Sequence, residues 1–366
     1  MGSVCVPLAG NLESYSGIYS DSPIAFGTSD DSGDGRGGMY FNITLSEKQR
    51  AKSLAIGGTG GGDGVATVLD VSAGAFFDLS GNALLASTNI TASEFPDISP
   101  PTLLNPRLHL GTGILEIVAD ETLDLSPSTN VNLSRMYISN SSADKYLSLA
   151  TSSHLSFVPI DGVSFNLSLS ELQRVSLIAR SATPGGDGEA LVLDVEFGAV
   201  HDIGIKYNLQ QFGVIIHELP DRIPPIMLSV SINLTTGTLY VMTSETIDTT
   251  PGLNVNSSLI FIGNYSNPSL TGVALSLSSV LAFDSTYVEL VLSEEQRVKA
   301  IEMSGQPGGD GNASFVTLRH GAVFDIGLNY NVEATGLQVT EHPDILSPTV
   351  IAVELNYAIG ELVINT

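Results

Sequence analysis

The chain has 366 residues, and its 14 Lys+Arg against 39 Asp+Glu give a formal net charge of −25. That balance argues against a nucleic-acid partner, whose phosphates need a basic face, and against an anionic membrane surface. With 43% hydrophobic and 14% charged residues the chain is too apolar for an acidic disordered polymer. Its length suits roughly two to four domains.

The first ten residues, MGSVCVPLAG, lack the basic start and long apolar stretch of a complete secretory signal. Nowhere is there an apolar run of about 18 residues, so neither a transmembrane span nor membrane insertion is expected. Cys5 is the one cysteine and no intrachain disulfide can form. A small buried hydrophobe is its preferred reading over an interchain bridge or a reactive thiol.

Residues 29–38, SDDSGDGRGG, resemble the start of a calcium loop, with Asp30, Ser32 and Asp34 at ligand spacing and Gly35 at the sharp turn. The twelfth position is Phe41, not glutamate, so an acidic surface loop is preferred. No other cofactor is expected.

From Leu45 onward the sequence repeats itself. LSEKQR, LSELQR and LSEEQR begin at Leu45, Leu169 and Leu292, steps of 169 − 45 = 124 and 292 − 169 = 123 residues. GGDG follows each, with Asp63, Asp187 and Asp310. GAFFDL, GAVHDI and GAVFDI come next, with Asp78, Asp202 and Asp325. FPDISPP, LPDRIPP and HPDILSP close the period around Asp97, Asp221 and Asp344. Four landmarks in constant order imply a tandem array of domain-sized units. The Pro-rich joins predict stiff connections.

Ser46, Ser170 and Ser293 each precede a glutamine by three residues, namely Gln49, Gln173 and Gln296. This is the capping-box spacing, so a short helix should start there and end at the Gly-rich segment. Residues 57–64, GGTGGGDG, lack the Lys-Ser/Thr of a phosphate-binding loop and lie after a helix, not before one, so they read as a helix exit. The repeated aspartates Asp63, Asp187 and Asp310 should shape that turn.

Elsewhere the pattern is strand-like. After Asp221, PIMLSVSINL alternates, TTG turns and TLYVMT alternates again. SSLIFIG, VALSLS and VELVLS follow, and late in each unit comes ALVLDVEFGAV or ASFVTLRHGAV. Short β-runs punctuated by Gly, Asn and Pro predict an all-β chain of tandem sandwich domains, each with one short helix. The expected units are 1–96, 97–220 and 221–344, followed by a two-strand segment at 345–366.

That last segment bears on assembly. Gly360 to Thr366 align with Gly237 to Thr243, and placing Leu45 on Leu292 puts Met1 on Asp248. The unit 1–96 therefore lacks its first two strands, and 345–366 carries two strands without the rest. An incomplete sandwich exposes apolar surface and strand edges, which strand addition from another copy can cover. The expected donors are Val350, Ala352, Val353, Leu355, Tyr357, Leu362, Val363 and Ile364. About six buried side chains at ~1.5–3 kcal/mol each give a gross energy of about 10 kcal/mol or more per joint before association costs. Such a contact is head-to-tail and propagates into a homopolymer.

Nine Asn-x-Ser/Thr sequons, at Asn42, Asn89, Asn132, Asn140, Asn166, Asn233, Asn256, Asn264 and Asn312, point to a secreted, N-glycosylated protein. None of the histidines His109, His154, His201, His217, His320 and His342 pairs with another at helical metal spacing. His201 is replaced by Phe77 and Phe324 in the sister units. Asp78, Asp202 and Asp325 read as turn or cap residues. No nucleophile elbow, zinc-protease motif or Cys–His pair is present, so no enzyme is expected.

The segments PPIMLSVSINLTTGTLYVMTSETID and GAVFDIGLNYN resemble the Ig-like repeats of surface-layer and adhesin proteins of the SbsA type. The resemblance covers Asp97 to Asp344, and the two end pieces by halves. It implies Ig-like sandwiches in a structural, extracellular or cell-surface glycoprotein, with no catalytic residues to carry over. The expected function is a filament subunit. A piece of a longer adhesin or surface-layer chain is the first alternative. A ligand- or carbohydrate-binding module is the second, disfavoured by the absence of Trp and the 7% aromatic content.

Overall fold

A computed structural model of the chain describes residues 26–27, 42–75, 77, 80–150, 154–155, 160–264 and 272–365. Cys5, Asp30, Ser32, Asp34 and Asp78 lie outside the described residues, as do the side chains of Asn42 and His154. The described chain is mostly β-strand, with three α-helices: α1 (Glu47–Ala55), α2 (Glu171–Ile178) and α3 (Glu294–Glu302). No helix among the described residues is long and apolar enough to cross a membrane.

The chain divides into two compact units. One comprises Met1–Gln173 with Gly188–Leu219, the other Arg174–Asp187 with Pro220–Thr366.

The first unit holds a five-stranded and a four-stranded sheet. The five-stranded sheet runs His217–Leu219, Leu103–His109, Ile114–Leu123, Gly162–Ser168, His154–Leu155. The four-stranded sheet runs Gln211–Ile215, Val192–Val195, Met136–Ser139, Leu147–Ser148. Period-two alternation makes these strands, because successive side chains leave opposite faces. On Ile114–Leu123 it buries Leu115, Ile117 and Ala119 and leaves Glu116 and Val118 half-buried. Two small pairs complete the unit, Val68–Val71 with Ser87–Thr91 and Phe26–Gly27 with Asn42–Ile43.

In the second unit eight strands are hydrogen-bonded in one order. They are Val273–Ala274, Ile260–Gly263, Phe315–Leu318, Ala334–His342, Met227–Asn233, Thr238–Ile247, Ser285–Val291 and Ser279–Val280. The strand Ala334–His342 is continuous here, whereas its counterpart in the first unit breaks at Ile216 and serves two sheets. Val230, Ile232, Leu239, Val241, Leu290, Val316 and Val339 form the heart of the core. Full burial of each such side chain contributes ~1.5–3 kcal/mol.

The helix starts follow the expected caps. Gln49 Oε1 accepts from Ser46 N at 3.0 Å, Gln173 Oε1 from Ser170 N at 3.0 Å and Gln296 Oε1 from Ser293 N at 3.0 Å. Two glutamines also tie their helix to a neighbouring element: Gln173 Nε2 donates to Ser148 O and Gln296 Nε2 to Ala274 O. The Gly-rich exits are sterically demanding. Gly185 has φ +87, and a Cβ there would sit 1.8 Å from Ile326 O.

Two features differ from the sequence reading. The VALSLS run forms only the two-residue strand Val273–Ala274, because Leu275 O turns to accept from Ser278 N. Among the described residues four 3-10 turns appear that periodicity does not signal, at Ser128–Asn130, Leu133–Arg135, Gly252–Asn254 and Ser257–Leu259. Three residues are too few to show a period.

Candidate functional site

The C-terminal strands Ala352–Asn356 and Glu361–Asn365 form an antiparallel hairpin, with Leu355 opposite Leu362 and Val353 opposite Ile364. Among the described residues they pair only with each other, and every residue of both is exposed. At the sequence period their counterparts are Met227–Asn233 and Thr238–Ile247, which are paired on both sides. Val350, Val353, Leu355, Leu362 and Ile364 thus occupy the places of the buried Met227, Val230, Ile232, Leu239 and Val241. Tyr357, 89% exposed, takes the place of the buried Leu234. Ala352 and Val363 take those of the exposed Ser229 and Tyr240, so they belong to the outer face. The sequence reading did not separate those two faces.

The two-stranded sheet Val68–Val71/Ser87–Thr91 is the converse. Its counterpart Phe315–Leu318/Ala334–His342 lies against Met227–Asn233. Among the described residues of the first unit no such strand lies against it, and Leu69, Ile90 and Phe95 stand open, Phe95 at 90% exposure. The backbone is nonetheless set as in its sisters: Ala92 N donates to Thr67 O, Ile216 N to Leu191 O and Val339 N to Ser314 O, each at 2.9 Å.

Each repeat motif also supplies an arginine to an acidic cluster. Arg50 Nη1 donates to Asp97 Oδ2 at 2.6 Å, Nη2 to Glu121 Oε2 at 2.7 Å, and Nε to Glu47 Oε2 at 2.6 Å. Oxygens of Asp97, Glu121 and Asp202 lie within 4.8 Å of one another. In the second unit Arg174 Nη1 meets Asp221 Oδ2 at 2.5 Å and Nη2 meets Glu245 Oε2 at 3.1 Å, with Asp325 completing the group. Arg297 repeats the first contact with Asp344 at 2.9 Å but is more open, its side chain 21% exposed against 6% for Arg174.

In the first cluster one guanidinium is shared among several carboxylates. Burial pushes the Glu121 carboxyl up to about 7, aided by the nearby Asp202 charge and opposed by Arg50. Burial likewise raises Asp202, whose Oδ2 has no hydrogen-bond partner, and Asp325. For Glu47 burial acts upward, but hydrogen bonds from Arg50 and Thr122 outweigh it and hold the group low. Asp97 is likewise held low by Ser99 N–H and Arg50 against burial. The carboxylates could ligate a cation by their chemistry; the cation this chain itself brings to them is the arginine.

Asp202 and Asp325 do shape turns, accepting from Lys206 N and Asn329 N at 2.8 Å. Asp63 and Asp310 do the same for Val65 N and Asn312 N at 2.9 Å. Sequence reasoning missed Glu94 and Glu341. Each brackets its Gly-rich loop, Glu94 from the segment after Ser87–Thr91 and Glu341 from the strand Ala334–His342: Glu94 accepts from Gly58 N and Thr67 N, Glu341 from Gly305 N and Ser314 N. Glu218 keeps the same place and accepts from Leu191 N at 2.6 Å. Their constant position three residues before Asp97, Asp344 and Asp221 was the available signal.

Among the sequons, Asn89, Asn132, Asn256 and Asn312 are exposed, and Asn140, Asn166, Asn233 and Asn264 half-buried. Asn264 Nδ2 donates to Asp310. A shallow groove in the first unit is lined by Asn132, Arg135, Phe197, His201 and Tyr207, the last two rings 5.4 Å apart.

No protein-family model matches the sequence, and no curated protein matches it. Among solved structures, one marsupial T cell receptor chain is 13% identical, over 70% of this chain and 77% of that one, with a TM-score of 0.16. A second is 11% identical over 72% and 78%, with a TM-score of 0.15. Likenesses at these scores carry no argument about fold or activity.

Proposed function

We propose that this chain is a structural subunit of an extracellular glycoprotein filament. It consists of tandem Ig-like sandwich domains, 97–220 and 221–344, with 1–96 as an open domain. Copies join head-to-tail: the hairpin of one fills the open domain of the next. The observation that supports this reading is the C-terminal hairpin, whose apolar residues are wholly exposed while their counterparts at the repeat period are core. Strand addition gives such a hairpin both main-chain partners and a dry face. Exposed sequons fit a glycosylated surface. The role is one of assembly and not of catalysis.

A second reading is a stretch of a longer adhesin or surface-layer chain, in which the same hairpin begins a covalently continuous domain. The openness of Arg297 and Asp344 suits either reading.

Electron microscopy of the purified chain beside a version truncated after Asp344 tests the proposal. Filaments from the full chain and monomers from the truncated one are expected. Equal behaviour of the two removes the hairpin from the account.

A further inference from the structure

The structure repeats one strand pairing twice, and we infer from it the residue register of the joint between copies; this inference rests on the assembly just proposed. In the first unit Leu115 lies opposite Leu167, which lies opposite Leu155 on its other side. In the second unit Leu239 lies opposite Leu290, and Leu290 opposite Val280. At the repeat period Leu115 and Leu239 correspond to Leu362, and Leu167 and Leu290 correspond to Ile43. Ile43 already has its outer neighbour, Phe26. Leu362 of one copy therefore lies antiparallel opposite Ile43 of the next.

The other edge follows from the parallel pairs. His109 is opposite Leu219 in the first unit and Asn233 is opposite His342 in the second. The next backbone bond recurs as well, from Leu110 N to Leu219 O and from Leu234 N to His342 O, both at 2.9 Å. The corresponding residues are Asn356 and Tyr357 on the hairpin and Phe95 in the segment that follows the open sheet's strand Ser87–Thr91. Asn356 thus lies parallel beside Phe95 of the next copy, and Tyr357 N donates to its carbonyl.

Between these edges Val353, Leu355, Leu362 and Ile364 turn inward. A one-residue slip would turn that whole set to solvent. A two-residue slip keeps the face but leaves one end unpaired.

The test is disulfide trapping between two chains in a Cys5→Ser background, each chain carrying one new cysteine. Leu362→Cys is mixed with Ile43→Cys, and Asn356→Cys with Phe95→Cys. Ile364→Cys with Ile43→Cys is the slipped control, because diagonal neighbours about 7–8 Å apart lie beyond disulfide reach. A band of doubled mass on a non-reducing gel for the first two mixtures and not the third supports the register. Filaments by microscopy with the third mixture linking instead overturn the register and leave the assembly standing. Absence of both filaments and links overturns the assembly and the register with it.

Discussion

Arg174 and Asp221 meet at 2.5 Å with their side chains 6% and 1% exposed, and the same pair 47 residues apart recurs as Arg50–Asp97 and Arg297–Asp344. Removing one partner of a buried pair strands the other charge away from water. Arg174→Ala should therefore cost about 3–5 kcal/mol. Arg297→Ala, at a more open pair, should cost about 0–1 kcal/mol. Urea unfolding of the two variants checks the contrast; equal losses would show that burial does not set the difference.

Glu121 makes stability depend on pH. Its carboxyl protonates near pH 7 in the folded chain, against an ordinary value of 4.5. Between those values the folded chain holds more protons than the unfolded one. Stability from this group is complete below about pH 4.5 and is lost as pH rises through about 7. Asp202 and Asp325, also raised, act with the same sign, while Glu47 and Asp97, held low, lose their contribution only as acid is added. Thermal melts from about pH 5 to 8.5 should show Tm falling on the alkaline side, with a shallower fall in Glu121→Gln. An unchanged slope in that variant would place the titrating group elsewhere.

Gly185 and Gly188 share a left-handed backbone, at φ +87 and +91, but only the first has a close neighbour. An alanine pays ~1–2 kcal/mol for that conformation at either position. At Gly185 it also meets Ile326 O at 1.8 Å. Gly185→Ala should destabilise clearly more than Gly188→Ala, as read by denaturant midpoint.

Leu355 and Leu362 face each other across the hairpin and are exposed in the single chain. Aspartate at both should leave the thermal midpoint of the two compact units unchanged while abolishing filaments under the microscope. Filaments from the double variant would mean that the apolar face of the hairpin is not what copies share.

The helix starts were legible because a cap is a local device: Ser and Gln three residues apart name it. Strands such as Ile114–Leu123 were legible because alternation is written in every second residue. The arginine in the same motif was passed over. Its partners stand 47 and 71 residues away, outside any local window, and only the recurrence of Arg, Asp and Glu at one period could have joined them. Asp202 and Asp325 shape turns, as their place at a strand end suggests; that each also joins the acidic group around one arginine follows from how the turn is folded back.

A joint in which Asn356 runs parallel to Phe95 of the next copy would give the proposed polymer a direction, with chemically different tips. One tip would offer two strands and the other a vacancy for them. A synthetic peptide spanning residues 350–366 should then fill the vacant tips and the open domains of free subunits alike, and so arrest elongation at both tips.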